Sequence, residues 1–179
     1  VAYTDEGVEL RRAGITLPIM VMNPEQRAYD LMIQNRLEPE IYSFKVFDLF
    51  TKALKRSGYK NSSGYPVHIK LDTGMHRLGF EEDDLHKLII KIKNDKSIKV
   101  KSVFSHLSTA DEPIHKLFTM DQIDLFKRLS AKICDNLGGN IIRHIVNSSG
   151  TLAFPEAHFD MVRLGVGLYG VSAYSEHQL

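Results

Sequence analysis

Seven polar side chains stand at the ends of candidate strands, most of them interrupting an otherwise apolar run: Lys70, Asp72, Arg77, His106, Asn147, Ser148 and Arg163. Arg163 is the most demanding of them. It lies between Met161-Val162 and Leu164-Gly165-Val166, in the most apolar stretch of the sequence. A buried guanidinium is costly unless something accepts its protons. Gly165 and Gly167 bare the backbone beside it, and Ser148 adds a hydroxyl, which together suit a phosphate. A ligand carrying both a phosphate and an acceptor nitrogen or oxygen would use all of these groups.

Each residue also has a plainer role open to it. Lys70 can extend its stem to a rim, Asp72 can accept from the backbone of the Thr73-Gly74 turn, and Arg77 can pair with an acid. His106 can be a hydrogen-bonded core histidine, and residues 147–150 can be an ordinary loop. Metal binding by His106, Asp111 and His115, or by His158 and Asp160, has no recognisable ligand spacing.

The elements that must position these groups follow a strand, turn, helix repeat. Apolar patterning places strands at 19–22, 40–42, 67–71, 100–105, 144–146 and 161–169. Val1 and Ala2 read as the tail of a further strand. Asn23-Pro24 reads as a helix start, Ser43 as a cap for a helix that Gly58 ends, and residues 119–122 as a capping box. Alternation of this kind implies parallel strands with right-handed crossovers. Either an open doubly wound sheet or a closed (β/α)8 barrel fits. The absence of a Gly-rich dinucleotide fingerprint favours the barrel, whose strand C-termini converge on one face where chemistry is done.

The 179 residues carry 23 basic and 22 acidic side chains, a net charge of +1. That balance gives no electrostatic case for nucleic acid. No apolar run is long enough for a membrane span, and no signal peptide is visible. The lysines of residues 87–101 fall on the solvated side of a helix whose apolar face is Leu85, Leu88, Ile89 and Ile92. The single cysteine, Cys134, reads as a small core residue, and it suits a reducing compartment.

Four segments, KLDTGMHRLGF (70–80), FSHLSTADE (104–112), NSSGTL (147–152) and FDMVRLGVGLYG (159–170), in this order and at these separations, resemble alanine racemase. The resemblance covers essentially the whole chain. It implies a pyridoxal 5′-phosphate enzyme built on a (β/α)8 barrel followed by a β-rich domain, acting as a homodimer in the bacterial cytoplasm to supply D-alanine for peptidoglycan. By the same resemblance, Arg163 faces the pyridine nitrogen and His106 packs against the ring. Arg77 approaches the phenolic oxygen and the substrate carboxylate. Lys70 is a site of carbamylation, which would create an anion to hold Arg77. Ser148, with the backbone of Gly165 and Val166, cradles the phosphate, and Asn147 lies beside it.

Two departures stand out. The Schiff-base lysine belongs to a KADAYGHG-like segment on the first strand, and no such segment occurs here. The opposing tyrosine belongs to the C-terminal domain of a partner subunit, which is also missing. The expectation is therefore a partial barrel of six to seven strands over residues 1–179, open after 161–169. The intact protein would racemise alanine and these residues alone would be inert. Rival readings are a D-amino-acid aldolase or decarboxylase of related fold, a non-catalytic pyridoxal phosphate carrier, and a phosphate-binding barrel with no such cofactor. An acid would be expected in place of Arg163 in the decarboxylases.

Overall fold

Strand edges in this chain are short and the helices between them amphipathic, so each helix folds back over the strand it follows. A computed structural model describes residues 1–171; residues 172–179, read above as an open end, lie outside the described residues. Five strands, β1 (Met20–Val21), β2 (Glu38–Ile41), β3 (Tyr65–Lys70), β4 (Ile98–Phe104) and β5 (Ile142–His144), form one sheet in the order β1-β2-β3-β4-β5. All the pairings are parallel. The order never reverses, as it must in a doubly wound sheet. Sequential parallel winding is that of an arc of a barrel. Val1 and Ala2 extend the arc: Val1 N–H donates to Met20 O at 2.9 Å, and Met22 N–H to Val1 O at 3.0 Å.

Six α-helices alternate with the strands: α1 (Thr4–Arg12), α2 (Tyr29–Gln34), α3 (Phe44–Ser57), α4 (Leu85–Asn94), α5 (Lys116–Leu137) and α6 (Ser148–Ala153). Ser43 caps α3, its Oγ accepting from Val46 N–H at 3.3 Å, and Gly58 ends it at φ 68°. Val46, Phe47, Phe50 and Leu54 are its buried face. The start expected at Asn23-Pro24 does not form an α-helix there; a single 3-10 turn (Gln26–Ala28) leads into α2, and Asn23 Nδ2 donates instead to Ala2 O. Thr119 lies inside α5 rather than capping it, with its hydroxyl bonded to Thr109 Oγ1 and His115 O.

The strand expected at 161–169 is not formed. Asp160 N–H donates to Arg143 O on the edge of β5 and Arg163 N–H to Val146 O just beyond it, and Val166–Tyr169 then turns as a 3-10 helix. Two glycines in that run offer no side chains to pack. Val166, Leu168 and Tyr169 stand exposed. The described residues therefore hold five strands rather than the expected six or seven.

The two faces of the sheet differ. Ile41, Val67, Ile69 and Val103 belong to the apolar core. Their neighbours one residue along, Glu40, His68, Lys70, Ser102 and Phe104, point the opposite way by strand alternation. Barrel interiors are ordinarily filled by Val, Ile and Leu. Here that face is lined by acids, imidazoles and a lysine.

Candidate active site

The loop after β3 closes on itself before it presents Arg77. Asp72 N–H donates to Phe80 O and Phe80 N–H to Lys70 O, each at 2.9 Å. Gly79, at φ 139°, permits this approach, because a Cβ there would strike the Asp72 nitrogen. Asp72 Oδ1 accepts from Gly74 N–H at 2.9 Å and His76 N–H at 3.1 Å, so Asp72 is a turn anchor. Arg77 is exposed at the tip. Its positive charge reaches Glu40, Lys70 and His106.

Arg163 turns inward at the C-terminal ends of β4 and β5. Its Nη1 donates to His144 Nδ1 at 2.6 Å, and its Nη2 to Ser105 O at 2.7 Å and Ile145 O at 3.1 Å. His106 Nδ1 lies farther off, at 3.4 Å from Nη2. Arg163 and His106 are thus in contact, but His144 is the closer imidazole. Phe104 stacks on the His144 ring at 4.9 Å and 8°, with the Lys70 ammonium 5.1 Å and the Arg163 guanidinium 5.4 Å from its centroid. Such contacts favour cations at these positions.

Burial sets the charge states. It lowers the His144 pKa to about 2 and the His106 pKa to about 4, with Arg163 adding to both effects. Both rings are neutral near pH 7. Burial also lowers Arg163 to about 10, which still leaves a cation. Lys70 is depressed by burial and Glu40 raised by it to about 7. Lys70 Nζ and Glu40 Oε1 face each other at 3.7 Å, both side chains almost wholly buried, and Glu40 Oε1 has no hydrogen-bond partner among the described residues.

Ser148, the first residue of α6, is placed by Asn147. Asn147 Oδ1 caps that helix by accepting from Gly150 N–H at 2.9 Å, so its side chain is committed to the turn. Ser148 Oγ accepts from Gly165 N–H at 2.9 Å and Gly167 N–H at 3.2 Å. A Cβ on Gly167 would sit 3.2 Å from that oxygen. Val166 begins the short 3-10 turn beside it. Ser148 and Gly167, with Leu164 and Thr151, border a pocket of about 290 Å³.

Of the sequence-derived candidates, Lys70, His106 and Arg163 share one electrostatic neighbourhood. Ser148, Gly165 and Val166 form a second group beside it, and Arg77 stands at the edge. Sequence reading did not single out Glu40, Glu38, His68, Ser102 or His144. Part of the signal was available in the alternation: His68 shares the phase of Lys70 on β3, and Ser102 that of Phe104 on β4. Among the described residues no three His, Cys, Asp or Glu side chains converge as a metal site would require.

The arrangement fits pyridoxal 5′-phosphate. Two of the five guanidinium N–H groups of Arg163, on Nε and Nη1, meet no protein acceptor among the described residues and are available to a ring nitrogen. Ser148 Oγ accepts the Gly165 and Gly167 N–H groups, which leaves its hydroxyl proton as a donor that a phosphate can use.

Residues 1–173 match the family model of the alanine racemase N-terminal domain. The chain is 38% identical over 176 residues to the alanine racemase of a Nostoc species, covering 96% of this chain and 44% of that protein. It is 34% identical over 174 residues to that of Symbiobacterium thermophilum, with the same coverage. Among solved structures, alanine racemase from Clostridium difficile 630 superposes with a TM-score of 0.87 at 33% identity, over 98% of this chain and 45% of that one. The enzyme from Corynebacterium glutamicum gives 0.81 at 27% identity, over 100% and 49%. The chain thus spans a little under half the length of these relatives, and its open sheet is part of their α/β barrel. By sequence and by fold, it belongs to the alanine racemase N-terminal domain family.

Proposed function

We propose that the intact protein carrying this chain interconverts L- and D-alanine with pyridoxal 5′-phosphate, and that these residues form most of its cofactor face. The observation that carries the reading is Arg163, sunk among His144, Ser105 and Ile145 with N–H groups left for an acceptor. When bound, the cofactor supplies the electron sink that lets the α C–H bond of the substrate ionise. Arg163 would hold the ring nitrogen by donating a hydrogen bond to it. An arginine does not readily give up its proton, so the nitrogen would stay unprotonated and the sink would be restrained. A restrained sink suits exchange of one proton at one carbon. The neutral His106 lies against the same face. Arg77, exposed at its loop tip, would meet the substrate carboxylate. Ser148, Gly165 and Val166 orient the phosphate.

Racemisation needs a base on each side of the α-carbon. The lysine and tyrosine that the resemblance assigns to those roles do not occur in matching motifs here, so these residues alone are expected to be inert. Homodimer formation, a bacterial cytoplasmic location and supply of D-alanine for peptidoglycan belong to the same reading and rest on the family resemblance. The test is D-alanine formation from L-alanine by purified intact protein with added pyridoxal phosphate, beside the 179-residue chain. Turnover by the intact protein alone is expected. No turnover by the intact protein would sink the reading; turnover by the short chain above the free-cofactor rate would sink its second half.

A further inference from the structure

Five side chains, one from each of β2, β3, β4 and β5 and one from the segment beyond, form a continuous hydrogen-bonded line across the polar face of the sheet. Arg163 Nη1 lies 2.6 Å from His144 Nδ1, and His144 Nε2 lies 3.0 Å from Ser102 Oγ. Ser102 Oγ is 2.7 Å from His68 Nδ1, and His68 Nε2 is 2.9 Å from Glu38 Oε2. His144 is 0%, Ser102 1% and Glu38 7% exposed. The line slants from the first residue of β2 to the last of β5, so it joins the functional end of the sheet to the opposite end.

Valence orders these bonds. Arginine has no acceptor, so His144 Nδ1 offers a lone pair and the ring's proton sits on Nε2. That proton goes to Ser102 Oγ. The single hydroxyl proton of Ser102 is then directed to His68 Nδ1, which leaves the His68 proton on Nε2, facing Glu38. All four bonds run the same way, from the guanidinium to the carboxylate. Bonds chained in this manner polarise one another in a low-dielectric interior. Ser102 is the joint. It stands opposite His68 in the β3–β4 register, and without its hydroxyl His68 Nδ1 and His144 Nε2 would both lose this partner.

We infer that Glu38, His68 and Ser102 are positioning residues for Arg163: anchored at Glu38, they fix the proton on His144 Nε2 and so hold the guanidinium in its place on the cofactor face. The link to the cofactor rests on the function proposed above; the order of the protons does not. Alternative partners for the same rings are few. Phe104 stacks on His144 without a polar atom to offer, and Glu40 and Lys70 are engaged with each other.

The test uses intact protein carrying ¹⁵N-labelled histidine, without added cofactor, and reads ring tautomers from long-range ¹H–¹⁵N couplings near neutral pH. Both His68 and His144 are expected as Nε2–H tautomers. Glu38→Gln is expected to shift the His144 ring nitrogens, although two residues separate them along the line, and Ser102→Ala to shift both rings. A proton on Nδ1 of His144 in the unsubstituted protein would overturn the inference with no variant needed. So would a Glu38→Gln effect confined to His68. Coupled rings in a protein that does not racemise alanine would leave the relay standing and remove only the activity. Racemisation with uncoupled rings would do the reverse.

Discussion

Lys70 Nζ lies 3.7 Å from Glu40 Oε1, within reach of an ion pair and beyond that of a hydrogen bond. Both side chains are nearly excluded from solvent. Removing one member of such a pair leaves the other charge uncompensated. Glu40→Gln is therefore expected to destabilise the fold by about 3–5 kcal/mol, read from denaturant melts. The double variant Glu40→Met with Lys70→Met is expected to recover most of the loss, since two apolar side chains leave no orphaned charge.

The same pair bears on the modification that the resemblance implied for Lys70. A carbamate would replace an ammonium facing Glu40 with a second anion facing it. Glu40 already supplies negative charge near Lys70, Arg77 and Arg163. We expect Lys70 to remain an ammonium when the protein is held in ¹³C-bicarbonate above pH 7, and Glu40→Gln to allow labelling of that nitrogen. A labelled carbonyl on Lys70 of the unsubstituted protein would count against Glu40 as the resident anion.

Acid stability carries opposing contributions from this site. The folded pKa values of His144 and His106, about 2 and about 4, lie below the ordinary 6.5 of imidazole. As pH falls below 6.5 the unfolded chain takes up protons that the folded rings refuse, so stability drains away toward the folded values. Glu40 works the other way. Its folded value of about 7 exceeds the ordinary 4.5, so its contribution is present below 4.5 and lost as pH rises through about 7. Each group bends the profile by at most about 1.4 kcal/mol per pH unit. His144→Asn is expected to flatten the acid decline below pH 6.5, and Glu40→Gln to steepen it between pH 7 and 4.5. Urea titrations across this range would show both.

Arg163→Lys keeps the charge and loses the fork. An ammonium cannot reach His144 Nδ1, Ser105 O and Ile145 O together while still facing a ring nitrogen, because its three donors radiate from one atom. Alanine racemisation by the intact protein is expected to fall by about 10²-fold, the scale of losing one preorganised donor. The fall should appear in kcat and kcat/KM together. An unchanged kcat would show that the guanidinium does not meet the reacting system.

What the sequence made legible were groups with one pressing reason to exist. Arg163 announced itself because no apolar strand tolerates a stray guanidinium. Ser43 and Gly58 punctuate α3 through local backbone chemistry alone. The line from Glu38 to His144 stayed hidden, because its partners stand 30, 34 and 42 residues apart and meet only through the β2–β3–β4–β5 pairing. Asn147 is ambiguous for a related reason: an amide before a helix is both a good cap and a ligand group, and here its Oδ1 fills the first role. The strand expected at 161–169 failed because alternation was read through Gly165 and Gly167, positions that lend a strand no side-chain packing.

Ser148 separates binding of the phosphate from binding of the ring. Its Oγ accepts from Gly165 and Gly167 N–H, so it both shapes the 165–167 turn and offers its own proton outward. Ser148→Ala removes that donor and the acceptor that ties the turn. A hydrogen bond to a charged group contributes about 1.5–3 kcal/mol, which corresponds to a rise of about ten- to a hundredfold in the dissociation constant. The rise is expected for pyridoxal phosphate titrated into the intact protein and followed by absorbance. Pyridoxal, which has the ring and no phosphate, should bind equally to both proteins. If pyridoxal were weakened as much, Ser148 would be acting on the barrel face as a whole and not on the phosphate. Comparing the two ligands therefore distinguishes a cradle from a prop in one experiment.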